Sequence, residues 1–241
     1  MELIILAAGR GTRIYRDIKK NKCLLHINHK SLIKKIVDDA IDSNLFNKIK
    51  IVVGYKKERV FKEFKKYKVE FIVNKDYLKT EMLHSLKLGI KSSKQDSLIS
   101  YSDIYYSPKI FNKISNSKRK KYILPVFKSW KKIWKIRNKN ILDDCESLIF
   151  DKKYFLKEIG QKIKNINEPM GQFMGLFYIP QQKINSTLKA IKSKSREKKI
   201  HTTKFINLLV KSYNENIFCL KTNNYWYEFD DYKDYKNYLK K

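Results

Sequence analysis

The sequence predicts an α/β fold: a doubly wound, mostly parallel sheet with a small antiparallel insertion, in a single domain of 241 residues. Three observations predict it. From Leu3 to Tyr101, short apolar runs of strand length alternate with amphipathic helical segments. Gly9, Gly54, Asn74 and Asp103 each follow an apolar run, at the carboxyl edge where such sheets bind ligands. Around Asp151-Lys152-Lys153, two apolar runs flank a turn, the pattern of an antiparallel excursion.

The elements follow in order. Leu3 to Ala8 is a short apolar run suited to burial in a parallel sheet, and it enters Gly9-Arg10-Gly11-Thr12-Arg13 directly. Ser31 caps a helix through about Ser43, with Leu32, Ile33, Ile36, Val37, Ala40 and Ile41 on one face. Ile49 to Val53 is the second strand, closed by Gly54-Tyr55. Val60, Phe61 and Phe64 mark a helix, Phe71 to Val73 a strand ending at Asn74, and Met82 to Ile90 another helix. Leu98 to Tyr101 then delivers Ser102-Asp103, so four loops are expected to converge on one crevice.

After Pro108 the texture changes. Ser115 to Lys121 reads as a polar, basic loop, Tyr122 to Phe127 as a strand, and Lys128 to Asn140 as a basic segment carrying Trp130 and Trp134. Leu148 to Phe150 and Phe155 to Ile159 form the antiparallel excursion, and Gly171 to Pro180 a strand returning to the main sheet. Ile184 to Ile191 and Thr202 to Tyr213 are helices, with Ile217 to Leu220 a strand. Tyr225-Trp226-Tyr227-Glu228-Phe229 brings Asp230-Asp231 to the start of a last helix, which includes Tyr235 to Leu239.

Composition narrows the function classes. No apolar run approaches the ~18 residues of a membrane span, and Arg10 breaks the first apolar segment too early for a signal peptide. Cys23, Cys145 and Cys219 are scattered, with no Cys-x-x-Cys pair, which is the usage of reduced cytoplasmic thiols rather than of disulfides or zinc. His26, His29, His84 and His201 form neither ligand spacing nor a nucleophile pair, leaving them surface or core roles. The net charge of +30 raises nucleic acid as a partner. The lysines are spread along the whole chain and accompany an excess of Asn, Ile and Tyr, so nucleic-acid binding is disfavoured.

The chemistry sits in the first loop. Small residues there let the backbone approach a ligand and aim N–H groups at phosphate oxygens. Arg13 and, nine residues on, Lys22 add mobile positive charge where a polyphosphate would lie. The pattern is neither Gly-x-Gly-x-x-Gly nor a P-loop, which disfavours a dinucleotide site or a P-loop ATPase. Phosphoryl chemistry at such a loop calls for a divalent ion on one or two carboxylates. Asp103 and Asp230, both at strand ends, are the candidates, although for either alone a helix N-cap or turn is the commoner role.

Ala-Ala-Gly-x-Gly-Thr-Arg with a downstream Lys resembles the signature of nucleotidyltransferases that condense an NTP with a phosphorylated small molecule. Further pieces extend the resemblance over nearly the whole chain: Gly54-Tyr55, Asn74 with Tyr77, Ser85, Asp103, Leu142-Asp143-Asp144-Cys145-Glu146-Ser147, Glu158-Ile159-Gly160, Gly171 to Leu176 and Trp226 to Asp230. The set is similar to the bacterial choline-phosphate cytidylyltransferase branch, which also contains aminoethylphosphonate and phosphoglutamine cytidylyltransferases. The resemblance implies a Rossmann-like nucleotidyltransferase with a nucleotide-binding half, 1–107, and an acceptor-binding half, 108–241. It implies catalytic roles for Arg13 and Lys22, and Mg²⁺ on Asp103 and Asp230. It places Leu6, Ala7, Ala8, Gly9, Gly11, Thr12, Gly54, Tyr55, Asn74 and Ser85 about the nucleotide.

The chain departs from that pattern at Asn21, where many relatives have proline, and at Glu81, where many have asparagine. Trp130, Trp134, Tyr225, Trp226 and Tyr227, with Asp143, Asp144, Glu146 and Glu228, would surround a cationic head group, and Gly171 lies in a matching segment. Core or lid packing is the other role open to the tryptophans. The implied reaction joins CTP to a small phosphorylated head group, as used in decorating surface polysaccharide or lipid, and releases pyrophosphate. A sugar-1-phosphate nucleotidyltransferase using UTP, dTTP or GTP is the alternative within the fold, and a non-catalytic basic RNA-binding protein the alternative outside it. The expected partners are CTP and the phosphorylated substrate, without membrane insertion; the oligomeric state, a homodimer included, is left open.

Overall fold

A computed structural model describes residues 1–14, 21–117, 120–137, 142, 145–193 and 200–240. β1 (Glu2–Ala7) is followed by a small hairpin of β2 (His26–Ile27) and β3 (Lys30–Ser31), then α1 (Leu32–Asp42), β4 (Lys48–Val53), α2 (Lys57–Glu63), β5 (Glu70–Val73), α3 (Met82–Lys91) and β6 (Ser97–Tyr101). β1 lies between β4 and β6, parallel to both, and β5 continues the parallel run beyond β4. The alternation read from the sequence is therefore the architecture of this half. Ser31 caps α1 as expected, its hydroxyl accepting from the Lys34 N–H.

The second half adds β7 (Ile104–Tyr106), α4 (Lys109–Asn116), β8 (Tyr122–Phe127), α5 (Trp130–Arg137), β9 (Glu146–Phe150) and β10 (Leu156–Lys162). It continues with β11 (Gln172–Phe173), β12 (Leu176–Ile179), α6 (Ile184–Ser193), α7 (Thr202–Tyr213), β13 (Ile217–Thr222), β14 (Trp226–Glu228) and α8 (Tyr232–Leu239). The main sheet runs β11-β8-β12-β6-β1-β4-β5, with β13 parallel to β8. β12 enters antiparallel to β6, and β9 and β10 form the predicted antiparallel excursion. Among the described residues, no helix is long and apolar enough to cross a membrane.

β1 shows why helices cover both faces of this sheet. Every residue of it is buried. Leu3, Ile5 and Ala7 face a core with α1, α2, α4 and α5, whereas Ile4 and Leu6 face one with α3, α6 and α7. The period of two along the strand thus divides its side chains between two layers.

The structure corrects two local readings and gives a third segment its element. Ser115 and Asn116 complete α4, whose Ile110, Phe111 and Ile114 are buried, so the expected loop starts later. The basic segment holding Trp130 and Trp134 is a helix, because those indoles, one turn apart, both enter the core. The expected strand from Gly171 to Pro180 is two strands, interrupted at Met174-Gly175, where Gly175 turns with φ 73°.

Candidate active site

The crevice has a volume of about 540 Å³ and opens at the carboxyl ends of β1 and β6. The β1 loop contributes Leu6, Ala7, Gly9, Gly11, Thr12 and Arg13, and the loop after β6 contributes Ser102 and Asp103. Glu81 and Met82, where α3 begins, bring the β5 connection to the same place. Gly11 meets two demands at once. Its φ is +57°, and an added Cβ would lie 2.8 Å from the Lys22 Cβ.

Asp230 reaches the crevice from the far end of the chain through a strand pair. β14 runs antiparallel to β7 with Glu228 opposite Ile104, and the Phe229 N–H donates to the Asp103 carbonyl at 3.1 Å. That register sets Asp103 beside Asp230. Lys22 lies between them, its Nζ 2.7 Å from Asp103 Oδ2 and 3.3 Å from Asp230 Oδ1. Arg13 approaches the same Asp230 oxygen at 3.4 Å, with 66% of its side chain exposed. Burial works against the charge on Lys22, but Asp103, then Asp230 and Glu228, outweigh it and raise its pKa.

Glu228 shows the opposite balance. Burial first, then the like charges of Asp230 and Asp103, push its carboxyl up to about 8, against the pull of Arg137 and Lys22. Cys23 also borders the crevice, and burial together with Asp103 pushes its thiol up to about 12, so it stays protonated.

The other nucleotide-side candidates sit behind the loop rather than on the crevice wall. Ala8 is buried and its carbonyl accepts from the Tyr55 N–H at 3.1 Å, while Gly54 abuts Ala8. Asn74 and Ser85 are buried and bonded to each other at 3.1 Å. They brace the connection that carries Glu81. Asn21, the departure from proline, donates from Nδ2 to the Tyr55 carbonyl at 2.9 Å. A side-chain hydrogen bond thus anchors the chain immediately before Lys22.

The aromatic candidates for the acceptor are placed elsewhere. Trp130, Trp134 and Trp226 are buried in the core and none lines the crevice. The faces of Trp134 are engaged, by the stacked ring of Trp226 at 6.5 Å and by the Arg137 guanidinium at 4.8 Å. Trp226 donates its indole N–H to the Met174 carbonyl. Gly171 packs against Val126 rather than on the crevice. Of the acceptor candidates only Glu146 and Glu228 line it; Asp143 and Asp144 lie outside the described residues.

Several residues of the crevice and its support were not singled out by the sequence. His201, Thr202 and Thr203, at the start of α7, border the crevice, as does Tyr101. Arg137 is fully buried at the end of α5 and donates to Asp230 Oδ2 at 2.7 Å and to both oxygens of Asp234 at 3.0 Å. Asp234 in turn accepts from the Asp230 N–H at 2.9 Å and completes the capping box of α8. The Trp130–Trp134 spacing marks α5 as amphipathic; nothing local marks Arg137 as its buried end.

A glycine loop, Lys22 and two aspartates from distant parts of the chain thus meet in one crevice. The model of the MobA-like NTP transferase domain matches residues 3–159, and the chain belongs to that family of nucleotidyltransferases. It is 31% identical to a CTP:phosphoglutamine cytidylyltransferase of Campylobacter jejuni, over the full length of both chains. A choline-phosphate cytidylyltransferase of Streptococcus pneumoniae is 34% identical over 46% of this chain and 48% of that one. The solved structure of the CTP:phosphocholine cytidylyltransferase from Streptococcus pneumoniae superposes with a TM-score of 0.75 at 20% identity, covering 100% of this chain and 99% of that one.

Proposed function

We propose that this enzyme transfers the cytidylyl group of CTP to the phosphate of a small phosphorylated acceptor and releases pyrophosphate. The observation that carries the reading is Lys22, held charged between Asp103 and Asp230 where the glycine loop opens. Support for CTP comes from the full-length relative, named for that nucleotide. An acceptor phosphate oxygen forms the new bond to the α-phosphorus. The bond from that phosphorus to the bridging oxygen breaks, and pyrophosphate leaves with the electron pair. Lys22 offsets negative charge that grows in the transition state, and Arg13, mostly exposed, follows the triphosphate.

Asp103 and Asp230 would hold a divalent cation such as Mg²⁺. The residues fit it: Asp103 Oδ1 is buried with no hydrogen-bond partner, and both groups are hard oxygen donors. When bound, such an ion neutralises phosphate charge.

The test is pyrophosphate release from CTP, UTP, dTTP and GTP with a panel of phosphorylated acceptors, with and without EDTA. CTP should be preferred, EDTA should abolish turnover, and Asp103→Asn should lower kcat by about two orders of magnitude or more. Equal kcat/KM for UTP overturns the cytidylyl assignment, and full activity in EDTA overturns the metal site.

A further inference from the structure

Of the four carboxylate oxygens of Asp103 and Asp230, three lie within 3.4 Å of the chain's own cations. Asp103 Oδ2 faces Lys22 at 2.7 Å, and Asp230 Oδ1 faces Lys22 at 3.3 Å and Arg13 at 3.4 Å. Asp230 Oδ2 faces Arg137 at 2.7 Å, while Asp103 Oδ1 is buried with no hydrogen-bond partner. Lys22 is the cation that bridges the pair. An ammonium and a hard divalent ion seek the same anionic oxygens, and two positive charges at one carboxylate pair repel each other. We infer that Lys22 holds the two aspartates until a triphosphate draws its ammonium away, so that the site takes a divalent ion together with nucleotide and not ahead of it. The inference rests on the reading that Asp103 and Asp230 hold that ion.

The local fold lets the ammonium move while the backbone stays. Asn21 donates to the Tyr55 carbonyl at 2.9 Å, and Lys22 opens a 3-10 turn whose next residue, Cys23, is buried. The main chain is thus pinned on either side of Lys22, and the freedom lies in its four-carbon stem. Gly11, whose added Cβ would lie 2.8 Å from Lys22 Cβ, brings the backbone of the glycine loop beside that stem. A swing from the aspartates toward phosphate oxygens on the loop exchanges one set of anionic partners for another, so the ammonium stays paired in both positions. The two arginines are placed differently. Arg137 is also bonded to both oxygens of Asp234 and remains on Asp230, and Arg13 touches one oxygen from a largely solvated position. By linkage, whatever factor nucleotide adds to the affinity for the ion, the ion adds to the affinity for nucleotide.

Mn²⁺ is the probe, its free concentration read by electron paramagnetic resonance with no nucleotide present. Lys22→Gln should bind it at least about tenfold more tightly than the wild type, and adding Asp103→Asn to that variant should abolish the gain. Arg13→Gln, which removes a nearby charge that bridges nothing, should gain no more than about threefold. Equal affinity in the wild type and Lys22→Gln, an equal gain in Arg13→Gln, or a gain that survives Asp103→Asn overturns the inference. The wild type gives a second readout that needs no substitution. The ¹⁵N resonance of the Lys22 ammonium should shift when CTP and Mg²⁺ are added together and stay in place with the same concentration of Mg²⁺ alone; a shift with Mg²⁺ alone overturns the inference. Full turnover in EDTA removes the ion from the reaction, and the inference with it. Turnover that EDTA abolishes, with equal Mn²⁺ affinity in wild type and Lys22→Gln, leaves the metal reading standing and overturns the inference alone.

Discussion

At Lys22 burial and two aspartates oppose one another, and the aspartates prevail, so the ammonium is charged at any working pH. Lys22→Ala should therefore lower kcat by about a hundredfold. Arg13→Ala should act mainly on the KM for CTP, because its side chain is largely solvated. Steady-state kinetics on both variants separates these outcomes, and an unchanged kcat in Lys22→Ala would remove it from the chemistry. Glu228 makes a pH-dependent prediction. Its folded-state pKa of about 8 lies above the ordinary 4.5, so the folded protein binds the extra proton between those values. Stability contributed by this group is full below about pH 4.5 and is lost as pH rises through about 8. Glu228→Gln should flatten that decline, leaving the variant relatively more stable at pH 8 than at pH 5 in urea titrations. A steeper decline in the variant would contradict the assignment.

Among the elements, the joint between α5 and α8 should govern both stability and activity. Arg137 fixes Asp230 through one nitrogen while Asp234 fixes the backbone of the same residue. Arg137→Met leaves buried carboxylates uncompensated and should cost about 3–5 kcal/mol. Arg137→Lys should recover part of the stability but less of kcat, since one ammonium cannot replace a fork that serves two aspartates. Unchanged unfolding midpoints in both would show the joint to be dispensable. This joint was also the least legible part of the sequence. β1, α1, β4 and α3 announce themselves by local periodicity, and Lys22, Asp103 and Asp230 by their place at loops and strand ends. In α4 and α5, by contrast, lysines interrupt the apolar residues, and only the tertiary core shows which face is buried. The same cause misled the reading of the tryptophans: exposed aromatic faces and packed ones have the same letters.

For the whole molecule, the net charge of +30 is spread along the chain and acts well beyond the crevice. The field of the surface lysines should speed encounter with anionic CTP, and salt should weaken it as the Debye length falls from about 30 Å at 0.01 M to about 8 Å at 0.15 M. The expected outcome is a marked fall in kcat/KM for CTP over that range, with kcat much less affected; a flat profile would show that steering contributes nothing. The pairing of β7 with β14 has a consequence for biosynthesis. A ribosome releases the glycine loop and Asp103 long before Glu228 and Asp230, which are 125 and 127 residues further along the chain than Asp103. Until the late strand docks beside Ile104, Lys22 faces a single aspartate. On the proposed mechanism, the emerging polypeptide should turn over no nucleotide until β14 pairs with β7 and sets Asp230 beside Lys22.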